Sequence, residues 1–294
     1  MIDLSGKRTK RTGSRVFLLF TMPALVMYLF FIIYPMLNGL FYSLTDWNGI
    51  KNSFNFIGLQ NYLNIFTDKK TMDAFQRTVI YTVELMCITT VLSILIAVLL
   101  NMKIRARGFF RAVYFFPAVL SSITMGLIFN QIYSQLLPSI GKALEIDFLS
   151  TSLLSRKETA MYAILFINVW QHTAMPTVII LAGMQSISAD LYEAAAIDGA
   201  NAWQQFKRIT IPLILPSIAI VSILTMRSGL MVFDYIKATT DGGPGFNTTT
   251  IAVLIYKHAF SDFKFAYSSA ESFLVFIITF VLAIVQLAIT RRKD

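Results

Sequence analysis

Six long apolar segments limit what this chain can fold into more than any other feature of the sequence. A helix needs roughly 20 apolar residues to cross a bilayer core of about 30 Å. Charged residues are scarce inside the segments, where only Glu84, Arg227 and Glu271 occur. The sequence therefore predicts an all-α integral membrane protein with about six transmembrane helices. The predicted spans are residues 16–37, 78–100, 112–135, 159–185, 211–232 and 265–290.

The composition excludes a soluble domain. Hydrophobic residues make up 56% of the 294 residues and charged residues only 14%, with a mean hydropathy of +0.64. Soluble domains carry about 25% charged residues. The net charge of +9 does not indicate nucleic-acid binding, because the basic residues cluster at the ends of apolar segments. A single cysteine, Cys87, excludes an intramolecular disulfide, and two histidines are too few to suggest a zinc site.

Basic residues predict the orientation of the chain in the membrane, since loops rich in Lys and Arg remain on the cytoplasmic side. Such residues concentrate before the first span, between the second and third, between the fourth and fifth, and after the sixth. Residues 1–15 and 291–294 are therefore predicted to be cytoplasmic, together with the loop at residues 188–210. We accordingly predict a multi-pass protein of the cell membrane, which is the plasma membrane or the inner membrane.

The polar segment between the fourth and fifth spans carries the signals of two short helices joined by a turn. Ser188 can N-cap the first helix, and Asp198-Gly199 can end it, because glycine readily adopts the left-handed conformation. Asn201 and Gln204 have the capping-box spacing that starts a second helix. Pro212 suits the first turn of the following span. The sequence thus predicts a helical hairpin at the cytoplasmic surface.

Two interpretations of this hairpin remain open on physical grounds. Trp203, Phe206 and Ile209 can form one face, which fits an amphipathic connector lying at the membrane interface. The run from Ala194 to Ala196 instead favours docking against another protein, because small side chains allow a close approach.

The segment EAAAIDGANAWQQFKRITIPLILP, from Glu193 to Pro216, resembles the EAA loop of membrane subunits of ATP-binding-cassette (ABC) importers. Other segments are similar to the carbohydrate branch of that family, which includes the larger maltose-transporter membrane subunit. They are Tyr34–Gly49, Phe109–Pro117, the pair Phe233-Asp234, Thr239–Gly245 and Thr248–Thr250. The positions that match the loop pattern are Glu193, Ala194, Ala195, Asp198, Gly199, Ala200, Phe206, Ile209, Pro212 and Pro216.

The resemblance implies the type I ABC importer permease fold, in which the EAA loop forms a coupling helix docked on a cytoplasmic ATPase. Glu193 would contact the ATPase, Gly199 would permit the turn, and Asp198 would cap or pair locally. The implied coupling residues are Glu193, Ala194, Ala195, Asp198, Gly199, Phe206 and Ile209.

The implied partners are a second homologous permease subunit, two cytoplasmic ATPase subunits and an extracytoplasmic solute-binding protein that delivers a sugar or oligosaccharide. The sequence has no GxxxxGK[ST] phosphate-binding loop, so it predicts a transport subunit rather than an enzyme. ATP and Mg²⁺ are expected on the ATPase, and no cofactor is expected on this chain. Membrane lipid is the remaining expected partner.

Polar residues inside membrane spans usually face a cavity or a partner. Met175 and Val232 occupy sugar-contacting positions of the maltose relatives without being able to hydrogen-bond a sugar, so the ligand or its pose differs. Interhelical hydrogen bonding is the alternative role for the polar positions. The resemblance gives most of the substrate-path candidates, because the sugar-contacting positions of the maltose relatives can be carried over by counting from the EAA motif. Trp170 is added for its aromatic ring. The candidates are Asn168, Trp170, Gln171, His172, Met175, Thr225, Ser228, Gly229 and Val232.

Other functions remain open at this stage. Arg227 beside Ser228 leaves room for an acidic sugar or a non-sugar solute, and Glu84 and Glu271 either line the path or pair with other groups. An ion-coupled secondary carrier would predict inverted repeats with broken helices, and no repeat is visible in the sequence. An intramembrane enzyme is disfavoured because His172 has no matched nucleophile or metal partner.

Overall fold

The computed structural model describes residues 9–102 and 107–291, and helices dominate them. The described residues contain one isolated antiparallel β-bridge, between Thr45 and Phe56. The predicted all-α class is confirmed. Helices in the first half of the chain are α1 (Thr9–Tyr28), α2 (Tyr34–Ser43), α3 (Gln60–Thr67), α4 (Lys69–Asn101), α5 (Arg107–Val119), α6 (Ser122–Gln131) and α7 (Leu137–Ala143).

The second half of the chain begins with a short 3₁₀ turn at Leu153–Ser155 and continues as helices. These are α8 (Ala160–His172), α9 (Ala174–Gln185), α10 (Ala189–Ile197), α11 (Ala202–Gln205), α12 (Ile211–Leu213), α13 (Leu215–Leu230), α14 (Asp234–Thr239), α15 (Ile251–Phe260) and α16 (Phe265–Arg291). The basic residues Lys7, Arg8, Lys103, Arg105, Arg292 and Lys293, on which part of the orientation prediction rests, lie outside the described residues.

Three π-helical segments, Leu29–Ile33, Ile132–Leu136 and Phe206–Thr210, each precede a proline by one residue. In each case the residue before the proline donates its N–H to a carbonyl five positions back, as Ile211 does to Phe206. Proline lacks an N–H and its ring collides with the carbonyl four residues earlier in a regular α-helix. The wider π turn absorbs this conflict, so the helix continues through the proline. The prolines are Pro35, Pro138 and Pro212.

The position of Pro212 therefore differs from the prediction. Instead of opening the next span, it lies within a helical run that ends at Leu213, and the chain then bends by 63°. The following helix, α13, begins at Leu215 and has Pro216 in its first turn. Pro212 lies in the first turn of the short α12, and because the preceding π segment accommodates it, the helix continues through it and the long helix of the span begins only at Leu215.

By length and composition, the described residues contain three single helices able to cross a membrane, and up to five spans if two bent pairs each count as one. The first and last predicted spans correspond to Leu19–Ser43 and Phe265–Gln286. The third predicted span, residues 112–135, is divided instead. α5 ends at Val119, close to Pro117, and the extended backbone of Ser121 starts a new helix. That helix continues through the π segment to Ala143, but it is not among the described helices that are both long and apolar enough to cross a membrane.

Two compact units are distinguished in the chain. The first comprises the described residues up to Asn64 together with His258–Leu274. Within it, Asn61 is buried and donates from Nδ2 to the carbonyl oxygens of Ser43 and Thr45, at 2.8 Å each. These bonds hold the chain that follows α2 against α3.

Two acidic residues of the first unit lie in contrasting surroundings. Asp46 is exposed, and the backbone N–H and side-chain amide of Asn55 donate to its carboxylate at 2.6 and 3.0 Å, which lowers the pKa of Asp46. Glu271 is fully buried, and its carboxylate lies 2.9 Å from Nδ1 of His258. Glu271 thus pairs with a histidine of its own unit.

The second unit comprises Ile65–Lys257 and the described residues from Val275 onward, with α4 as its central helix. α4 packs against α9 and α13. Gly229 permits the close approach of α13, because a Cβ at that position would lie 2.8 Å from Cα of Thr82. Thr82 donates its own hydroxyl to the carbonyl of Thr78 at 2.6 Å, which satisfies this buried polar group inside the helix.

Candidate functional site

The helix α10 begins and ends where the local sequence signals predict. Oγ of Ser188 accepts the N–H of Asp190 at 3.3 Å and caps the first turn. At the other end, Gly199 has a φ of +78°, and the N–H of Ala200 donates to the carbonyl of Ala195 at 2.9 Å. Both the predicted N-cap and the predicted left-handed glycine are confirmed.

The helix α11 begins with the predicted capping box. The N–H of Gln204 donates to Oδ1 of Asn201, and the N–H of Asn201 donates to Oε1 of Gln204, each at 2.9 Å. The hydroxyls of Tyr192 and Thr210 lie 2.9 Å apart and connect α10 to the end of the following π segment. The chain from α10 to α12 is called the hairpin below.

The hairpin exposes charge beside large apolar side chains, an arrangement found on protein contact surfaces. Ile197 is 87% exposed and Trp203 is 68% exposed. Asp198 is the C-cap residue of α10 and donates its backbone N–H to the carbonyl of Ala194 at 3.0 Å, which is the capping role among the two local roles predicted for it. Of the predicted coupling residues, Glu193, Ala194, Asp198 and Gly199 are exposed, and Ala195, Phe206 and Ile209 are half-buried.

A cavity of about 460 Å³ lies among α4, α6, α8, α9, α13 and α14. It adjoins the point where α8 and α9 meet at a 46° bend. Predicted substrate-path residues that border it are Asn168, His172, Met175, Thr225, Ser228 and Val232. The structure thus brings together residues from both sides of the hairpin in the sequence. Other bordering residues are Leu85, Thr89, Ser122, Pro176, Leu224, Arg227, Met231, Phe233, Asp234 and Tyr235.

A hydrogen-bond network orders the polar side of this cavity. Asn168 donates from Nδ2 to the hydroxyl of Tyr81 at 2.8 Å. The hydroxyl of Tyr235 donates to Oε1 of Gln171 at 2.7 Å and lies 3.0 Å from Nδ1 of His172. These contacts join helices that are far apart in the sequence, so the tertiary fold positions the cavity side chains.

Two polar atoms at the cavity lack a partner. Within residues 9–102 and 107–291, Oγ1 of Thr89 and Oδ1 of Asn168 are the buried side-chain N or O atoms without a hydrogen bond. Both residues are 0% exposed. An unpaired polar atom in a protein interior costs about 1–3 kcal/mol. Both residues border the cavity, and an unpaired polar atom beside a cavity marks a candidate place for a polar ligand.

Three predicted substrate-path residues do not border this cavity. Gln171 is one residue from His172, but its amide is engaged by Tyr235, and Gly229 packs against Thr82. Trp170 borders a separate, apolar cavity of about 380 Å³ with residues such as Phe166. Successive helix residues point about 100° apart, so neighbours in sequence reach different surroundings. Trp170, Gln171 and Gly229 therefore do not border the polar cavity.

Three further polar residues, Thr89, Ser122 and Tyr235, border the cavity but were not predicted from the sequence. A sequence signal did exist for Thr89, because Thr78, Thr82 and Thr89 are spaced by four and seven residues and so share one helix face. Tyr235 directly follows the Phe233-Asp234 pair that belongs to the family resemblance. Ser122 has no such signal, since its place depends on the break between α5 and α6.

The charged residues of the predicted spans reach different places. Arg227 borders the cavity, and Asp234 provides an opposite charge there. Glu84 is half-buried on α4. In the described part of the chain, no group of three or more His, Cys, Asp or Glu side chains is arranged to hold a metal ion.

Comparisons with known proteins agree with this architecture. The family described as "Binding-protein-dependent transport system inner membrane component" matches residues 89–294. The multiple sugar-binding transport system permease protein MsmF of Streptococcus mutans is 41% identical over 275 residues, with 94% of this chain and 95% of the relative covered.

Two further relatives match along almost the whole chain. The probable starch degradation products transport system permease protein AmyD of Thermoanaerobacterium thermosulfurigenes is 33% identical, with 94% of both chains covered. The trehalose/maltose transport system permease protein MalF of Thermococcus litoralis is 32% identical, with 99% of both chains covered.

A solved structure shares the fold. It is a bacterial ABC transporter involved in the import of the acidic polysaccharide alginate, with a TM-score of 0.82 at 21% identity, and 97% of this chain and 99% of that chain are covered. The predicted importer permease fold is thereby confirmed. The family match and the relatives together show that this chain belongs to the binding-protein-dependent transport system inner membrane components, as a permease subunit of an ABC importer.

Proposed function

We propose that this chain carries a sugar or oligosaccharide through the membrane by way of the polar cavity beside α8, α9 and α13. The observation that carries the proposal is the pair of buried, unpartnered atoms, Oγ1 of Thr89 and Oδ1 of Asn168, at a cavity that His172 and Ser228 also border. A ligand with many hydroxyl groups can satisfy such atoms during passage, whereas an apolar solute leaves them unpaired.

The names of the relatives support a carbohydrate. Proteins named for multiple sugars, for starch degradation products and for trehalose or maltose match this chain over 94% of its length or more. Arg227 at the cavity makes an acidic sugar the second candidate, but Asp234 at the same cavity supplies an opposite charge. A neutral ligand is therefore the better fit.

The hairpin is the proposed site of coupling to a cytoplasmic ATPase. Its exposed Glu193 offers charge, and Ile197 and Trp203 offer apolar area for a protein contact. With both termini cytoplasmic, as the basic residues predict, the hairpin faces the compartment that contains ATP. The complete importer would contain two ATPase subunits that bind ATP and Mg²⁺, a second permease and an extracytoplasmic solute-binding protein.

Reconstitution of the assembled importer into proteoliposomes tests this function. We expect ATP-dependent accumulation of at least one neutral sugar among trehalose, raffinose and maltotriose, supplied with the solute-binding protein. A preference for alginate oligomers would favour the acidic-sugar candidate. Accumulation that persists after inactivation of the ATPase and follows an ion gradient would favour a secondary carrier. Absence of uptake for every sugar in an assembly that hydrolyses ATP would contradict the proposal.

A pair of variants in the same assay tests the proposed path. Ser228→Leu places an apolar side chain at the cavity and is expected to lower uptake severalfold. Ser139→Leu is the matched control, because Ser139 is exposed on α7 and does not border the cavity. Equal uptake by the two variants would remove Ser228 from the path.

A further inference from the structure

A chain of hydrogen bonds runs from a backbone carbonyl at the break between α5 and α6 to a histidine at the cavity. Gln171 donates from Nε2 to the carbonyl oxygen of Leu120 at 2.6 Å. The hydroxyl of Tyr235 lies 2.7 Å from Oε1 of Gln171 and 3.0 Å from Nδ1 of His172. This series of hydrogen bonds thus joins three segments that are distant in the sequence: the α5–α6 break, α8 and α14.

The direction of every hydrogen bond in this series follows from the first one, between Gln171 and the carbonyl of Leu120. A backbone carbonyl can only accept, so the amide nitrogen of Gln171 must face Leu120 and the amide oxygen must face Tyr235. The amide oxygen can also only accept, so the single hydroxyl proton of Tyr235 is directed to Gln171. The oxygen of Tyr235 is then an acceptor toward His172, and Nδ1 of His172 must carry the proton that it donates.

We infer that Gln171 and Tyr235 hold His172 as the Nδ1–H tautomer, so that its Nε2 is a hydrogen-bond acceptor for a ligand hydroxyl in the cavity. In a neutral imidazole one ring nitrogen donates and the other accepts, and the bond made by one nitrogen decides the role of the other. Tyr235 and Gln171 are positioning residues in this arrangement, since they act on the ligand through His172.

This assignment narrows the chemistry of the ligand. Asn168, one helical turn before His172, borders the same cavity, and its unpartnered Oδ1 is also an acceptor. Two acceptors require a ligand that donates at both positions. Sugar hydroxyls can donate, whereas a carboxylate can only accept. This consequence rests on the proposed sugar-transport function, while the tautomer of His172 does not.

The tautomer can be measured directly by ¹⁵N NMR of the assembled importer in lipid nanodiscs, with histidine labelled in this chain alone. The chain contains only two histidines, so a His172→Gln sample identifies the signals of His258. We expect a protonated, pyrrole-type Nδ1 and an unprotonated, pyridine-type Nε2 for His172. A proton on Nε2 would overturn the inference.

The role of Tyr235 is tested by Tyr235→Phe, which removes the hydroxyl and retains the ring. We expect a signal from the Nε2–H tautomer to appear, because Nδ1 loses the hydroxyl oxygen of Tyr235 as an acceptor. Tyr133→Phe is the matched control: the Tyr133 hydroxyl is also buried but donates to the carbonyl of Ala163 at 3.2 Å, away from His172. An unchanged spectrum for Tyr235→Phe would show that Tyr235 does not set the tautomer.

Transport kinetics separate this inference from the proposed function. For maltotriose, or the other panel sugar with the highest uptake, His172→Leu is expected to raise KM about tenfold with little change in maximal rate. His172→Gln retains an acceptor oxygen and is expected to stay within about threefold of the native KM. Equal KM values for the two variants would overturn the acceptor role. Failure of all sugar uptake would contradict the proposed function and leave the tautomer to be decided by the NMR result.

Discussion

The hairpin and the polar cavity belong to the same unit of the protein but are built from contacts of different range. The capping hydrogen bonds of the hairpin join residues two to five positions apart, as in the capping box of Asn201 and Gln204, and the contact between Tyr192 and Thr210 spans 18 positions. The hydrogen-bond network beside the cavity, formed by Asn168, Gln171 and Tyr235 with their partners, joins residues 51 to 87 positions apart. Local contacts make the hairpin a surface that varies little with the rest of the fold, whereas the cavity exists only when several helices are assembled.

This difference predicts that a hairpin surface substitution separates function from folding. Glu193→Lys reverses an exposed charge without removing a packing contact, so the chain should still insert and fold. We expect uptake to fall about tenfold or more, because charge reversal in a protein contact costs several kcal/mol. Co-purification of the ATPase and uptake into proteoliposomes measure the two effects.

Glu158→Lys is the matched control for that reversal. Glu158 is also exposed, but it lies in the segment before α8 and outside the hairpin. Sugar uptake by the Glu158→Lys variant should remain close to that of the native importer. Normal uptake and normal ATPase binding in Glu193→Lys would refute the proposed coupling surface.

A glycine pair compares the two regions in terms of stability. Gly229→Ala forces a Cβ against the backbone of Thr82 and should destabilise the second unit by about 1–3 kcal/mol. Gly199→Ala meets nothing within 4 Å, so only the left-handed backbone is strained and about 1 kcal/mol is expected. Thermal unfolding in detergent measures both. A larger loss of stability for Gly199→Ala than for Gly229→Ala would contradict the expected difference between the hairpin and the helical core.

A threonine pair on α4 sharpens the description of the cavity. Thr89→Val removes an unpartnered hydroxyl, so stability should be unchanged or higher by about 1 kcal/mol while the KM for the sugar rises severalfold. Thr78 is equally buried, but it accepts the N–H of Ile251 at 2.9 Å. Thr78→Val should therefore lose about 1–2 kcal/mol of stability. Equal loss of stability in both would show that Thr89 is already satisfied.

The smallest expected effect is local to the hairpin. Asn201→Ala removes the capping box of α11 and should cost about 1 kcal/mol. Hydrogen exchange should rise at the N–H of Gln204 and its neighbours and stay unchanged on α4. Increased exchange on α4 as well would mean that the hairpin is coupled to the helical core more strongly than its contacts indicate.

The sequence by itself determined the features whose causes lie within a few residues. The apolar segments predicted the helical class, and Ser188, Gly199 and Asn201 predicted the ends of the hairpin helices, because caps and left-handed glycines are local effects. Local rules misplaced Pro212, since the π segment that accommodates it had no recognised signal in the sequence. The interruption of the third predicted span at Leu120 was missed for a similar reason.

Only the tertiary structure decided which polar residues meet at the cavity. Asn168, Trp170, Gln171 and His172 are near neighbours in sequence, yet only Asn168 and His172 border the polar cavity. Their surroundings depend on where α4, α6 and α14 pack, and composition and periodicity carry no information about that register. The carbonyl freed at the α5–α6 break orients Gln171, and through Tyr235 it sets the hydrogen-bonding role of His172. The sequence names the side chains that can bind a polar solute, and the packing of distant helices decides which of their atoms are available to do so.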